Sequence, residues 1–218
     1  MSTLSGGPNI VTNGLVLSLD AANPKSYVSG STTWNDISRV GNNGTLINGP
    51  TFNSGNYGSI VFDGVDDYVN CGNIMPSTAY TKCVFFYITN NSTNNNLISG
   101  SGSGTHYFYP GRTTFLRAGH FQGAELVSNT PFTTNTWYHG AVTFSTTSGF
   151  AMYQNGLPVG TNPSTSTFTG GNIVYIGAYE PGGNLLTGRI PIAQIYNRVL
   201  TPQEILQNFN AQKSRFGI

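Results

Sequence analysis

Between residues 15 and 178 the chain breaks into nine short runs of β-branched and aromatic residues, at 15–19, 59–62, 67–70, 82–88, 105–109, 113–116, 137–144, 150–154 and 172–178. Turn formers lie between them. Runs this short, recurring at this spacing, predict the strands of an antiparallel sandwich, because a helix needs a longer 3.6-periodic stretch to bury one face. In the first run Leu15, Leu17 and Leu19 alternate with Val16 and Ser18, the mark of a strand with one buried face. The run 83–88 (Cys-Val-Phe-Phe-Tyr-Ile) is apolar at both parities, which predicts a central strand covered by the opposing sheet on one side and by loops or a partner on the other.

Composition supports the same class. Only 8% of the 218 residues are charged, against about 25% in an ordinary soluble domain, and about half are Gly, Thr, Asn, Ser or Pro. Surface helices use Lys, Glu, Arg and Ala to solvate their outer faces, so a helical bundle is excluded. Disorder is excluded too, since 12 Tyr, 13 Phe and 2 Trp supply a large core. The length suits one all-β domain at 14–212, preceded by an arm at 1–13 and followed by a tail at 213–218. A net charge of +1 with scattered basic residues predicts no nucleic-acid partner. The absence of a long apolar run predicts no membrane insertion, and Met1 to Val11 lacks the pattern of a secretory signal. Two cysteines, Cys71 and Cys83, make no disulfide framework.

Local signals are specific at three places. Thr201-Pro202-Gln203-Glu204 writes a capping box with proline at the first helical position, predicting a helix near 202–211 with Ile205, Leu206 and Phe209 as its apolar stripe and Leu200 stapled to Ile205. Asn155-Gly156 between two apolar runs predicts a hairpin, and Asp63-Gly64-Val65-Asp66-Asp67 predicts a turn. The polar stretch 90–104, with Gly100 to Gly104 alternating with serine, predicts a surface excursion with a flexible tip.

The chemistry on offer is that of binding. Glycoside hydrolysis needs two carboxylates flanking one bond, yet the only glutamates are Glu125, Glu180 and Glu204, no two on one predicted strand. His106, His120 and His139 stand apart, without zinc spacing, and no nucleophile elbow occurs. No catalytic residue and no cofactor is therefore expected. Calcium would draw on Asp20, Asp36, Asp66 and Asp67, but no contiguous acidic loop holds them together. A glycan needs an exposed aromatic face with amides or carboxylates beside it. The loop Tyr179-Glu180-Pro181-Gly182-Gly183-Asn184 offers these, making Tyr179, Glu180 and Asn184 candidate ligand contacts. The segment from His106 to Phe121 mixes aromatic and cationic groups as interfaces do, making Tyr107, Tyr109, Arg112 and Arg117 candidate interface residues, with Phe216 of the tail as another.

Several segments in order resemble the concanavalin A-like lectin and glucanase superfamily, in its laminin-G-like modules. They are Gly14-Leu15-Val16-Leu17 up to Asp20-Ala21, Trp34 with Asp36, the run 41–46, and Phe62-Asp63-Gly64 up to Val69. Later come Trp137, Tyr153-Gln154-Asn155-Gly156 and the closing run from Gly188-Arg189-Ile190 to Glu204-Ile205. The loop Ser38-Arg39-Val40-Gly41 departs from the Gly-rich turn such modules carry there. The resemblance implies a two-sheet antiparallel jelly-roll sandwich with one short C-terminal helix, whose members bind glycans, proteins or calcium. The ending Arg215-Phe216-Gly217 is similar to that of structural proteins of tailed bacteriophages. That likeness implies a non-enzymatic virion component, a head decoration, tail or fibre protein assembled in the host cytoplasm. Its partners would be other virion proteins, further copies of itself and a host-surface glycan, the multivalent contacts adding to one another. A free carbohydrate-binding lectin is the alternative, and a glycoside hydrolase on the same fold the second.

Overall fold

A computed structural model describes residues 9–102, 104–120, 124–180 and 183–218. The predicted arm up to residue 8, Ser103 of the glycine-serine tip, Phe121 at the end of the aromatic segment, and Pro181 and Gly182 of the tight turn lie outside the described residues. The first strands in chain order are β1 (Leu15–Asp20), β2 (Thr33–Trp34), β3 (Gly44–Ile47), β4 (Thr51–Asn53), β5 (Ser59–Asp63), β6 (Tyr68–Asn73), β7 (Ala79–Ile88) and β8 (Ile98–Ser99). They are followed by β9 (His106–Pro110), β10 (Phe115–His120), β11 (Ala124–Pro131), β12 (Trp137–Ser145), β13 (Gly149–Gln154), β14 (Leu157–Asn162), β15 (Ile173–Ile176) and β16 (Thr187–Tyr196). Helix α1 (Pro202–Gln212) and a 3-10 turn (Lys213–Phe216) close the chain.

The strands form a two-layer antiparallel jelly roll. One layer runs β14-β13-β12-β7-β16-β5-β4, with β1 on β16 beyond the end of β5. The other runs β2-β3-β6-β15-β8 and continues as β9-β10-β11. Across that seam Leu97 N–H donates to the Phe108 carbonyl at 3.0 Å and Gly100 N–H to the His106 carbonyl at 2.9 Å. Leu17, Leu19, Trp34, Phe62, Phe86, Phe108 and Phe144 fill the space between the layers.

The two-sided apolar strand is β7, and it is central, between β12 and β16. Its inner side chains Val84, Phe86 and Ile88 enter the main core. Its outer face is covered by the chain's own C-terminus. Cys83 packs with Ile205 and Leu200, while Phe85 packs with Phe209 and Phe216. Both cysteines are free and buried, and burial pushes each thiol up to about 12.

Local chemistry explains the elements. The Thr201 hydroxyl accepts from Glu204 N–H at 3.2 Å and the Glu204 carboxylate accepts from Thr201 N–H at 2.9 Å, the reciprocal capping box. Arg198 adds two bonds to that carboxylate at 2.8 and 2.6 Å, a bidentate pair the sequence did not announce. Two expectations are corrected. Leu206 is 39% exposed, and the buried stripe of α1 is Ile205, Asn208 and Phe209. Asn208 belongs there because its amide donates to the Tyr196 hydroxyl at 2.9 Å while its carbonyl accepts from Val11 N–H at 2.8 Å, which docks the N-terminal segment. Leu15 does not share a face with Leu17 and Leu19, because a bulge between Leu15 and Leu17 reverses the alternation and sends Leu15 outward to Tyr196 and Leu200.

Candidate functional site

The site lies on the outer face of the β9-β10-β11 sheet. Along β9, His106 and Phe108 point into the core and Tyr107 and Tyr109 point out, the period-two rule at work. Opposite them on β10 stand Gly119 and Arg117, and Gly119 is paired on its other side with Glu125 of β11. A Cβ at position 119 would meet the Tyr107 hydroxyl at 2.8 Å, so glycine lets that ring lie across the strand. The Tyr107 and Tyr109 ring centroids are 5.7 Å apart and tilted by 54°, forming an angled wall.

Two loops complete the site. Tyr179 follows β15 and enters a tight turn, its N–H donating to the Gly183 carbonyl at 3.1 Å and its hydroxyl to the Gly102 carbonyl at 2.7 Å. Asn184 takes a left-handed φ of 45° that asparagine tolerates, and its carbonyl accepts from the Asn96 side-chain amide at 3.0 Å. The β7–β8 loop is held by the fully buried Asn95, whose amide donates to the Asn90 and Thr93 carbonyls at 3.0 and 3.1 Å and whose carbonyl accepts from Thr187 N–H at 2.7 Å. Asn94, Asn96, Tyr107, Tyr109, Glu125, Tyr179 and Asn184 line a cleft of about 330 Å³.

Its electrostatics centre on Glu125. The carboxylate accepts from the Arg117 guanidinium at 2.5 Å and from the Tyr109 hydroxyl at 3.4 Å. Burial first, and the Glu125 charge second, raise the ionisation of both Tyr107 and Tyr109 above the usual phenol range. The phenols therefore stay protonated and able to donate at any physiological pH.

The ligand candidates Tyr179 and Asn184 and the interface candidates Tyr107 and Tyr109 thus meet in one cleft, with Arg117 behind its carboxylate. Glu180 does not line it. That side chain folds against Gly183, and Glu125 supplies the acid instead. Arg112 stands exposed at the β9–β10 turn, outside the lining. Phe216 is corrected as a free interface group, since its ring is 6% exposed and packs on Phe85 and Trp137 at 4.6 and 4.9 Å. Sequence reasoning missed Asn94, Asn96 and Glu125. A signal for the last existed, because Ala124, Leu126 and Ser128 alternate inward against exposed Glu125, Val127 and Asn129, a half-buried strand hidden among polar residues.

Of the four aspartates on which calcium would draw, Asp20 is bound to Arg215 at 2.9 Å, and Asp36 accepts five hydrogen bonds, from the backbone of Ser18, Ser38, Gly41 and Asn42 and from the Ser38 hydroxyl. Asp66 and Asp67 gather with Asp63, their ligand atoms within 4.8 Å of one another. Two of these carboxylates already serve the turn, Asp63 accepting from Val65 N–H and Asp67 from Asp63 N–H.

The family model of the concanavalin A-like lectin/glucanases superfamily, in its laminin-G type, matches residues 63–206, more than half the chain. The chain belongs to this superfamily. No curated protein matches it by sequence. Among solved structures, this concanavalin A-like chain is similar to the Trypanosoma rangeli sialidase in complex with the inhibitor DANA, with a TM-score of 0.71 at 17% identity over 99% of the chain and 36% of the sialidase. The chain therefore spans about a third of that enzyme's length. It is similar to domain 4 of the GH43 extracellular arabinanase AbnA from Geobacillus stearothermophilus, in complex with arabinotriose, with a TM-score of 0.70 at 16% identity over 90% of the chain and 98% of that domain. The binding domain of Paraclostridial Mosquitocidal Protein 1 gives 0.73 at 14% identity over 92% of the chain and 52% of that one. At these identities the likeness is one of fold.

Proposed function

We propose that this chain is a non-catalytic saccharide-binding module and that its ligand sits in the cleft between Tyr107, Tyr109 and Tyr179. One observation carries the reading. Three tyrosines from two separate segments converge on a single cleft with one carboxylate and three asparagines, which combines apolar ring faces for sugar C–H groups with planar acceptors and donors for hydroxyls. The arabinanase domain that this chain nearly superposes on whole is a domain solved with a neutral oligosaccharide.

Catalysis lacks its parts in the cleft. Among the described residues Glu125 is the only carboxylate in the lining, and it is tied to Arg117, whereas hydrolysis through an acid and a nucleophile or base needs two. A tyrosine nucleophile would need a neighbouring carboxylate as its base, and the Glu125 carboxylate that accepts from Tyr109 is already paired with Arg117. Assembly into a particle rests on the resemblance of the ending and on the low charge and Thr- and Asn-rich composition, and that ending is folded back onto the chain's own sheet.

Glycan-array screening followed by calorimetry tests the proposal. The intact chain is expected to bind a saccharide and to release no reducing sugar from it. Tyr107→Ala and Tyr179→Ala should each weaken binding by about tenfold, with Tyr57→Ala, outside the cleft, as the unaffected control. Binding that survives both cleft variants, or turnover of the bound saccharide, sinks the proposal.

A further inference from the structure

We infer that the cleft selects uncharged saccharides and rejects those carrying a carboxylate, such as sialic or uronic acids. The inference rests on the saccharide-binding reading and adds to it the charge of the ligand. It follows from where the cations are. The chain has only nine Lys and Arg, and all nine lie within the described residues.

Six of the nine are committed. Arg198 and Arg215 are paired with Glu204 and Asp20, and Arg117 with Glu125. Arg189 and Lys213 lie over the rings of Tyr87 and Phe209 at 5.1 and 5.0 Å. Lys82 is fully buried, its amine donating to the Ile98 carbonyl at 3.0 Å and to His106 Nδ1 at 2.8 Å. Lys25, Arg39 and Arg112 are exposed, and none of them lines the cleft.

Among the described residues, the only formal charge in the cleft lining is thus the Glu125 carboxylate, with its guanidinium partner, Arg117, behind it and outside the lining. Each carboxylate oxygen keeps lone-pair capacity beyond its bonds to Arg117 and Tyr109, so it can accept from sugar hydroxyls. An anionic sugar would bring a second carboxylate against it, where the neighbouring cation, Arg117, is already paired with Glu125. Near a protein surface, like charges a few ångströms apart repel strongly enough to weaken binding by about tenfold or more.

Calorimetry on the intact chain separates the outcomes. The neutral probes are arabinotriose, xylotriose, cellotriose and the neutral saccharides found on the array; the anionic probes are 3′-sialyllactose and trigalacturonic acid. Neutral saccharide is expected to bind, and the anionic probes to bind at least about tenfold more weakly, with the gap narrowing as ionic strength rises. Glu125→Gln removes the carboxylate charge and releases Arg117, so it should narrow the gap or reverse it, while Arg117→Ala should preserve it. Thermal melting checks that both variants are folded, and the salt series on the unaltered chain needs neither variant. Anionic probes binding as tightly as neutral ones, or discrimination unchanged in Glu125→Gln, would overturn the charge inference and leave the saccharide reading standing. Absence of binding to any saccharide overturns both.

Discussion

His139 shows how much a single side chain can hold in reserve. It is 1% exposed, lies against Phe85 and Phe209 at 4.9 and 5.7 Å, and neither ring nitrogen has a hydrogen-bond partner among the described residues. Burial lowers its pKa to about 3. The folded value lies below the unfolded one, so the unfolded state binds the proton first and stability is lost as pH falls from about 6.5 towards 3. His139→Phe keeps the ring contacts and removes the unpaired nitrogens. It is expected to be neutral or stabilising at pH 7 and to flatten the acid limb of stability, read by urea denaturation from pH 7 to pH 4. Glu204 works by a different cause. The Arg198 hydrogen bonds and the Thr201 cap lower its carboxyl to about 2, so its contribution is present above about pH 4.3 and is lost as pH falls through the folded value. Glu204→Gln should cost about 1 kcal/mol at neutral pH, and the difference from the unaltered chain should close in melts near pH 2.

At the scale of elements, α1 and the final 3-10 turn act as a lid on the outer face of β7, β12 and β16. Phe216 is the last residue of that turn, wedged between Phe85 and Trp137. Phe216→Ala leaves a cavity beside two aromatic rings and should cost about 3 kcal/mol. Leu206→Ala, on the exposed side of α1, should stay within about 0.5 kcal/mol. Equal losses for the two in chemical denaturation would show that the helix docks on a different face. The helix was legible because a capping box, a proline and a staple are contiguous. Strand β11 was not, because its alternation is short and its exposed positions look like loop. The consequence for the site was large, since β11 carries Glu125.

At the scale of the whole molecule, the layers are joined by a polar link through the core. Lys82 on β7 reaches Ile98 before β9 and His106 on β9, and His106 Nε2 donates to the Ile173 carbonyl at 3.1 Å. That proton places the Nδ1 lone pair toward the amine. Desolvation holds both Lys82 and His106 well below their ordinary pKa values. Groups kept neutral in this way favour the unfolded state as pH falls below their unfolded values, so the chain should be more stable at pH 8 than at pH 5. Lys82→Met strips the donor from His106 Nδ1, a loss of about 1–3 kcal/mol, and also removes the proton that the unfolded state binds, so the loss should be largest at high pH and shrink or reverse as pH falls. Faster amide exchange at the β8–β9 seam would locate the loss, and exchange confined to α1 would contradict it.

The sequence by itself determined the class of the fold, the family, the capped helix and the two-sided apolar strand that became β7. These depend on local spacing, which one strand or one helix states without its neighbours. It also named four residues that came to line the cleft, because Tyr107, Tyr109, Tyr179 and Asn184 carry recognisable surface chemistry wherever they sit. Only the tertiary structure decided that they face one another. Tyr107 and Tyr179 are 72 positions apart in the chain, and the order of β15, β8, β9 and β11 across one layer is what brings them together with Glu125. It likewise decided that the outer face of β7 and the Phe216 ring satisfy each other, since an apolar surface and an apolar tail read the same in sequence whether the partner is another chain or their own.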